Sequence, residues 1–312
     1  MRPGPWSLVP GPWSLVPGPW SLVPGPSIHA SEQGHDARFK NMSEILTSSA
    51  DQRGVVTLTL NRPAVHNAFN AELVAALSEA FDRIADQGAR ALILSGEGHS
   101  FSAGADLNWM RDMASASESE NREDARRLAA MLRRLDQLPC PTIARVNGHA
   151  FGGGVGLIAC CDLAVALEHA RFGLTEVRLG LIPATISPFV VPRIGINHAR
   201  RYMLTGERMD AATARHIGLI TDIVPPGQLD GHISDLVDLL LAGGPKAQAR
   251  VKSLVRLVAS SQADAEELDR RTSETIAALR VSREGQEGLS AFLDKRQPDW
   301  IREKKGSTDE HS

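Results

Sequence analysis

Cysteine is scarce in this chain: Cys140, Cys160 and Cys161 are the three in 312 residues. So odd and sparse a set gives no disulfide framework and suits a reducing compartment, which predicts a cytoplasmic protein. There is no Cys-x-x-Cys and no pair of histidines at ligand spacing. A structural zinc site takes about four such ligands, so no metal is expected. An excess of one charge is lacking too. The formal net charge is −3 and no long basic block occurs, which argues against nucleic acid as the main partner. No uninterrupted apolar run is long enough for a membrane-spanning helix, so no membrane partner is expected. A hydrophobic fraction of 42% still suffices for a large single core, or a core with a smaller appendage.

What is present falls into three regions. Residues 1–41 hold "PGPWSLV" three times in register from Pro3. Proline fixes φ and removes a backbone donor, so helix and ladder are both discouraged there. The expectation is a disordered low-complexity tail, or a start codon placed too early, with translation beginning at Met42. A tryptophan-bearing docking tail is the alternative. Residues 42–224 alternate strand and helix patterns. "GVVTLTL" (54–60), "ARALILSG" (89–96), "PTIARVNG" (141–148) and "DLAVAL" (162–167) read as strands. Residues 70–86 read as a helix with Asn70 as its N-cap and Leu73, Leu77, Phe81 and Ile84 on one face. Residues 120–138 read as an amphipathic helix. From 225 to 305 the pattern is helical, in pieces at 227–241, 245–260, 263–280 and 283–296. Residues 306–312 form a tail. Strands joined by helices, then a run of helices, predict an α/β core with a helical C-terminal part.

The densest glycine lies in "HAFGGGVGLIACCDLA" (149–164). Adjacent Cys160 and Cys161 read as small buried hydrophobes. His149 could be a ligand or a base, but a lone histidine more often packs with its hydrogen bonds satisfied. The stretch lacks the Gly-Lys-Ser/Thr of a phosphate loop, and its glycines do not fit the dinucleotide fingerprint. Backbone donors fit better. A strand, then glycines, then an apolar helix exposes amides at a helix N-terminus, and glycine lets a substrate oxygen approach them. Such donors stabilise negative charge on an acyl oxygen. "HSFSAGADLNWM" (99–110) is a second small-residue turn of this kind. "RFGLTEVRLGLIPATISPF" (171–189) adds Glu176 among Leu174, Val177 and Leu179. Apolar surroundings raise a carboxyl pKa and suit proton transfer; a surface glutamate on a turn is the other reading.

In this order, "LNRPAVHNAFN", "FSAGADL", "FGGGVGLIACCDLA" and "FGLTEVRLGLIP", with "AFLDKRQPDW" near the C-terminus, resemble the enoyl-CoA hydratase/isomerase (crotonase) superfamily from about Gly54 to Trp300. The resemblance implies an α/β fold, a crotonase-like spiral of ββα units with a helical C-terminal part. It implies an acyl-CoA thioester as ligand, with CoA part of the substrate and no separate cofactor, and a homotrimer or homohexamer. Carried over by position, Glu176 is the catalytic carboxylate, and the amides of Ala103 and Gly153 hold the thioester oxygen. Ala64, Val65, Ala68, Gly104, Ala105, Asp106, Leu107, Gly152, Gly156 and Leu181 line the substrate. Many hydratases of the family carry a second glutamate two residues after the glycine triplet; here that position is Gly156. Hydration of a short or branched 2-enoyl-CoA is the favoured reading. Isomerisation of a 3-enoyl to a 2-enoyl thioester by one carboxylate, or a non-catalytic CoA-binding homologue, are the alternatives. The residues after Glu176 resemble the subgroup that hydrates glutaconyl-type esters in leucine or acyclic-terpene breakdown. The extra carboxylate of such a substrate calls for a cation, and Arg178 and Arg193 are the nearest in sequence.

Overall fold

The computed structural model describes residues 44–260 and 264–301. The repeat, the expected start at Met42 and the tail 306–312 lie outside them.

Two sheets organise the chain. The larger joins β1 (Leu46–Ala50), β2 (Val55–Leu60), β3 (Ala91–Gly96), β5 (Thr142–Val146), β7 (Leu163–Leu167) and β10 (Asp222–Val224) in the spatial order β1-β2-β3-β5-β7-β10. Only the β1–β2 pair is antiparallel. Alternate residues of each strand face opposite sides. Val56, Leu58, Leu92, Leu94, Ala144, Val146, Ala164 and Ala166 join one buried cluster; Val55, Ala91, Ile143 and Val165 join another. The first side is covered by α1 (Ala71–Gln87) and α3 (Glu118–Gln137), the second by α7 (Leu229–Ala242) through Leu229, Ile233 and Val237. Burial on both faces explains why these strands read as nearly continuous apolar runs.

The elements read from periodicity are where the pattern places them. Asn70 caps α1, accepting from the Leu73 amide at 2.9 Å, and Leu73, Leu77, Phe81 and Ile84 are buried. Ser117 and Glu120 form a capping box at the start of α3. Beyond α7 follow α8 (Pro245–Ser260), α9 (Ala265–Arg280) and α10 (Arg283–Leu293). The last ends three residues before the expected 296, where Arg296 turns back onto Glu287 at 2.6 Å.

The second sheet is the unexpected one. Its strands β4 (Ser100–Ser102), β6 (His149–Phe151), β8 (Arg171–Gly173) and β9 (Arg208–Asp210) have three residues each. Three residues show no period, so they read as loop. β4, β6 and β8 run parallel, and β9 closes the edge antiparallel. Three of the long strands each feed a short one and then a helical turn: β3, β4, α2 (Leu107–Ser115); β5, β6, α4 (Gly153–Cys160); β7, β8 and a 3-10 turn, Glu176–Leu179. That is the spiral of ββα units. After the last of these units comes α5 (Ser187–Thr205), with Ile186 at its N-cap, and α6 (Ala211–His216) follows β9.

Candidate active site

Because β4, β6 and β8 are parallel neighbours, the residues after their C-terminal ends meet. Glycine makes the meeting close. A Cβ on Gly104 would lie 2.9 Å from the Phe151 carbonyl and 3.5 Å from the Gly153 nitrogen; one on Gly152 would lie 3.1 Å from Glu176 Oε1. Both glycines also have positive φ, +88° and +49°. The segment 64–69 joins through a bridge between Phe69 and Ala105.

Which amides remain open follows from the hydrogen bonds. Gly153 is the first residue of α4, so its N–H has no intrahelical acceptor. In the 103–106 stretch the Ala103 N–H donates to the His66 carbonyl at 2.9 Å, Gly104 to Ser102 Oγ at 3.3 Å and Asp106 to the Phe69 carbonyl at 2.8 Å. The amides of Ala105 and Gly153 meet no acceptor among the described residues. This corrects the expectation for Ala103. A parallel bridge uses the carbonyl of 104 and the amide of 106, which turns the amide of 105 away from the pairing and leaves it open. The sequence motif locates the turn but not its register, so from sequence Ala105 reads only as a lining residue.

Glu176 opens the 3-10 turn after β8. Its Oε2 is buried and has no hydrogen-bond partner among the described residues. Burial raises its pKa above the usual 4.5, with its own backbone amide pulling weakly the other way. A half-buried acid with one buried, unpartnered oxygen, facing the glycine backbone next to two open amides, is equipped to move a proton while an oxyanion forms.

The sequence profile of the enoyl-CoA hydratase/isomerase family matches residues 50–303. This chain belongs to the enoyl-CoA hydratase/isomerase family. It is 34% identical over 261 residues to the 2,3-dehydroadipyl-CoA hydratase of Escherichia coli K12, covering 83% of this chain and 99% of that protein. It is 31% identical to the crotonyl-CoA hydratase of Syntrophomonas wolfei, covering 79% of this chain and 94% of that one. A crystal structure of an enoyl-CoA hydratase from Shewanella pealeana is 43% identical, covers 82% of this chain and 96% of its own, and superposes with a TM-score of 0.79.

Several residues assigned from the family resemblance have other tasks here. Asp106, expected against CoA, is buried; its Oδ2 accepts from Arg62 at 2.9 Å and its Oδ1 caps α2 through the Asn108 amide at 2.8 Å. Ala68 is buried, and its carbonyl accepts from Arg62. Gly156 is buried as well: a Cβ there would stand 2.4 Å from Ile186 Cγ2 and 3.7 Å from Leu132 Cδ2. It is a packing position, not a lining one. Ala64, Val65, Leu107 and Leu181 are exposed near the site-forming segments, and Gly152 and Gly104 stand within it.

Arg193 is not available to a substrate. Its Nε donates to the Leu219 carbonyl at 3.2 Å and its Nη1 to the Cys161 carbonyl. Arg178 is exposed and lies against Gly206 at the end of α5. His149 is exposed rather than packed, with Nδ1 accepting from the Arg171 amide at 3.1 Å. The three cysteines are buried free thiols, and burial pushes Cys140 to about 11 and Cys161 to about 12, far from a nucleophile's range. Among the described residues no group of three His, Cys, Asp or Glu could hold a metal ion, and no helix is long and apolar enough to cross a membrane.

Proposed function

We propose that the protein adds water to a 2-enoyl-CoA thioester, with Glu176 as the sole carboxylate at the reacting carbons and the amides of Ala105 and Gly153 holding the thioester oxygen. The observation that carries this reading is the buried, unpartnered Oε2 of Glu176, on a side chain that meets the Gly152 backbone, itself against Gly104, next to the open amides of Gly153 and Ala105. Ionised Glu176 takes a proton from water as the hydroxide adds to C3. The π electrons move onto the thioester oxygen, where the amides meet the charge. Protonated Glu176 then delivers the proton to C2, and the carbonyl re-forms. Water is added across the bond and Glu176 returns to its ionised state. Relatives named as hydratases support this choice.

Isomerisation has one observation in its favour. Ile186 occupies the space a side chain at position 156 needs, so no second carboxylate stands there. One base suffices to take a proton from C2 of a 3-enoyl thioester and return it at C4. Purified protein given crotonyl-CoA should consume the enoyl absorbance. No loss with crotonyl-CoA or 3-methylglutaconyl-CoA, together with a conjugated product from 3-hexenoyl-CoA, replaces hydration by isomerisation.

A glutaconyl-type preference now rests on Arg178 alone, since Arg193 is held by carbonyls. Arg178→Ala should then impair 3-methylglutaconyl-CoA selectively. Equal effects on that substrate and on crotonyl-CoA remove the preference.

A further inference from the structure

Arg62 lies in the turn after β2, and its guanidinium joins two segments of the site. Nη1 donates to the Ala68 carbonyl and Nη2 to Asp106 Oδ2 at 2.9 Å. The two side chains are only 16% and 8% exposed. Between these anchors the backbone is zipped: Phe69 N–H to the Gly104 carbonyl at 2.6 Å, Asp106 N–H to the Phe69 carbonyl at 2.8 Å. Residues 104 and 106 are thus fixed on either side of Ala105. A fork of planar donors suits this bridge, because it reaches a carbonyl and a carboxylate at once. Loss of the guanidinium strands a nearly buried carboxylate and frees the 104–106 turn to shift.

We infer that Arg62 is a positioning residue for the thioester oxygen: through Ala68 and Asp106 it fixes where the open Ala105 amide points. This rests on the proposed thioester reading of the site. An ångström of misplacement costs an oxyanion donor most of its effect, which is about 10²-fold in kcat.

The test uses 4-dimethylaminocinnamoyl-CoA, whose absorption moves to longer wavelength as its carbonyl oxygen is polarised. Bound to Arg62→Met, the probe should lose most of the shift it shows in the wild type. With crotonyl-CoA, kcat should fall about 10²-fold while KM stays within about threefold. Arg62→Lys, with one charge but no fork, should recover part of both. Arg53→Met is the control: it breaks a surface ion pair with Asp51 and Asp238, at 2.7 Å each, and should move neither. If Arg62→Met does not fold, Asp106→Asn keeps an acceptor for the α2 cap and should show an intermediate loss of shift. A full shift in either variant overturns the inference. So does a fall in kcat and KM in parallel with thermal stability. A wild type that binds the probe without any shift sinks the thioester-oxygen reading itself, which separates the two failures.

Discussion

The two sheets use the same chain in opposite ways. In the large sheet, β2 and β3 run six residues and bury Val, Leu, Ile and Ala on both faces. In the small sheet every strand runs three residues and carries Ser, His or Arg, and three of the four strands lead into glycine, an open amide or Glu176. Long apolar strands make stability and need no particular end. Short strands make little stability but place three chain ends side by side. Folding free energy should therefore reside in the first sheet and chemistry in the second, and substitutions can separate them.

The largest effect belongs at Glu176. Glu176→Gln should lower hydration of crotonyl-CoA by about 10²–10⁴-fold, the usual worth of a positioned proton carrier. Thermal stability at neutral pH should not fall, because the change removes a negative charge that burial disfavours. Unchanged turnover would return the protein to the non-catalytic reading. The converse experiment is Phe81→Ala, in α1 on the large sheet, where the ring is fully buried. It should cost about 3–5 kcal/mol in urea unfolding. Turnover per folded molecule should stay within about twofold. A large kcat change there would break the separation of roles.

A smaller effect tests the seam between the two. Gly156 lies in α4, one turn past the open amide, yet it packs against Ile186. Gly156→Ala should cost about 1–3 kcal/mol through overpacking. Adding Ile186→Ala should cost less than the sum of the single changes, since each relieves the other's misfit. Additive losses would show that the contact is not what limits position 156. Only with Ile186 shortened should Gly156→Glu be tolerated, so that pair is also the route to a second carboxylate.

The same contrast explains how much was legible. The strands β2, β3, β5 and β7 and the helix α1 show themselves because their patterns run over five or more residues, and Asn70 marks a helix start by its own chemistry. At the site, the glycines and Glu176 were legible because few residues can make a close approach or carry a proton. What stayed hidden is contact across distance. Arg62 meets Asp106 across 44 residues, and Gly156 meets Ile186 across 30 positions. Whether Ala103 or Ala105 keeps its amide free depends on a bridge of one residue to Phe69. Arg193 has a free cation's sequence but spends its donors on carbonyls of Cys161 and Leu219.

The smallest effect is a dependence on pH that the large sheet's apolar clusters cannot produce. Burial raises the Glu176 pKa above 4.5 in the folded protein. Between 4.5 and that raised value the folded state therefore binds more protons than the unfolded one. This group's contribution to stability is fully present below 4.5 and is lost as pH rises through the folded pKa, after which it levels off. Activity runs the other way. The ionised carboxylate is the form that takes the proton from water, so kcat/KM should rise with pH through the same window, with its acid limb above 4.5. Melting temperature against pH for wild type and Glu176→Gln, beside the wild-type rate profile, measures both. The glutamine variant should lack the fall in stability across the window. An acid limb at or below 4.5, or the same melting profile in both proteins, would mean that Glu176 is solvated rather than buried. With the predicted signs, the ionisation that hydration requires is the one that the fold opposes, and the large sheet supplies the stability that lets the small one hold it.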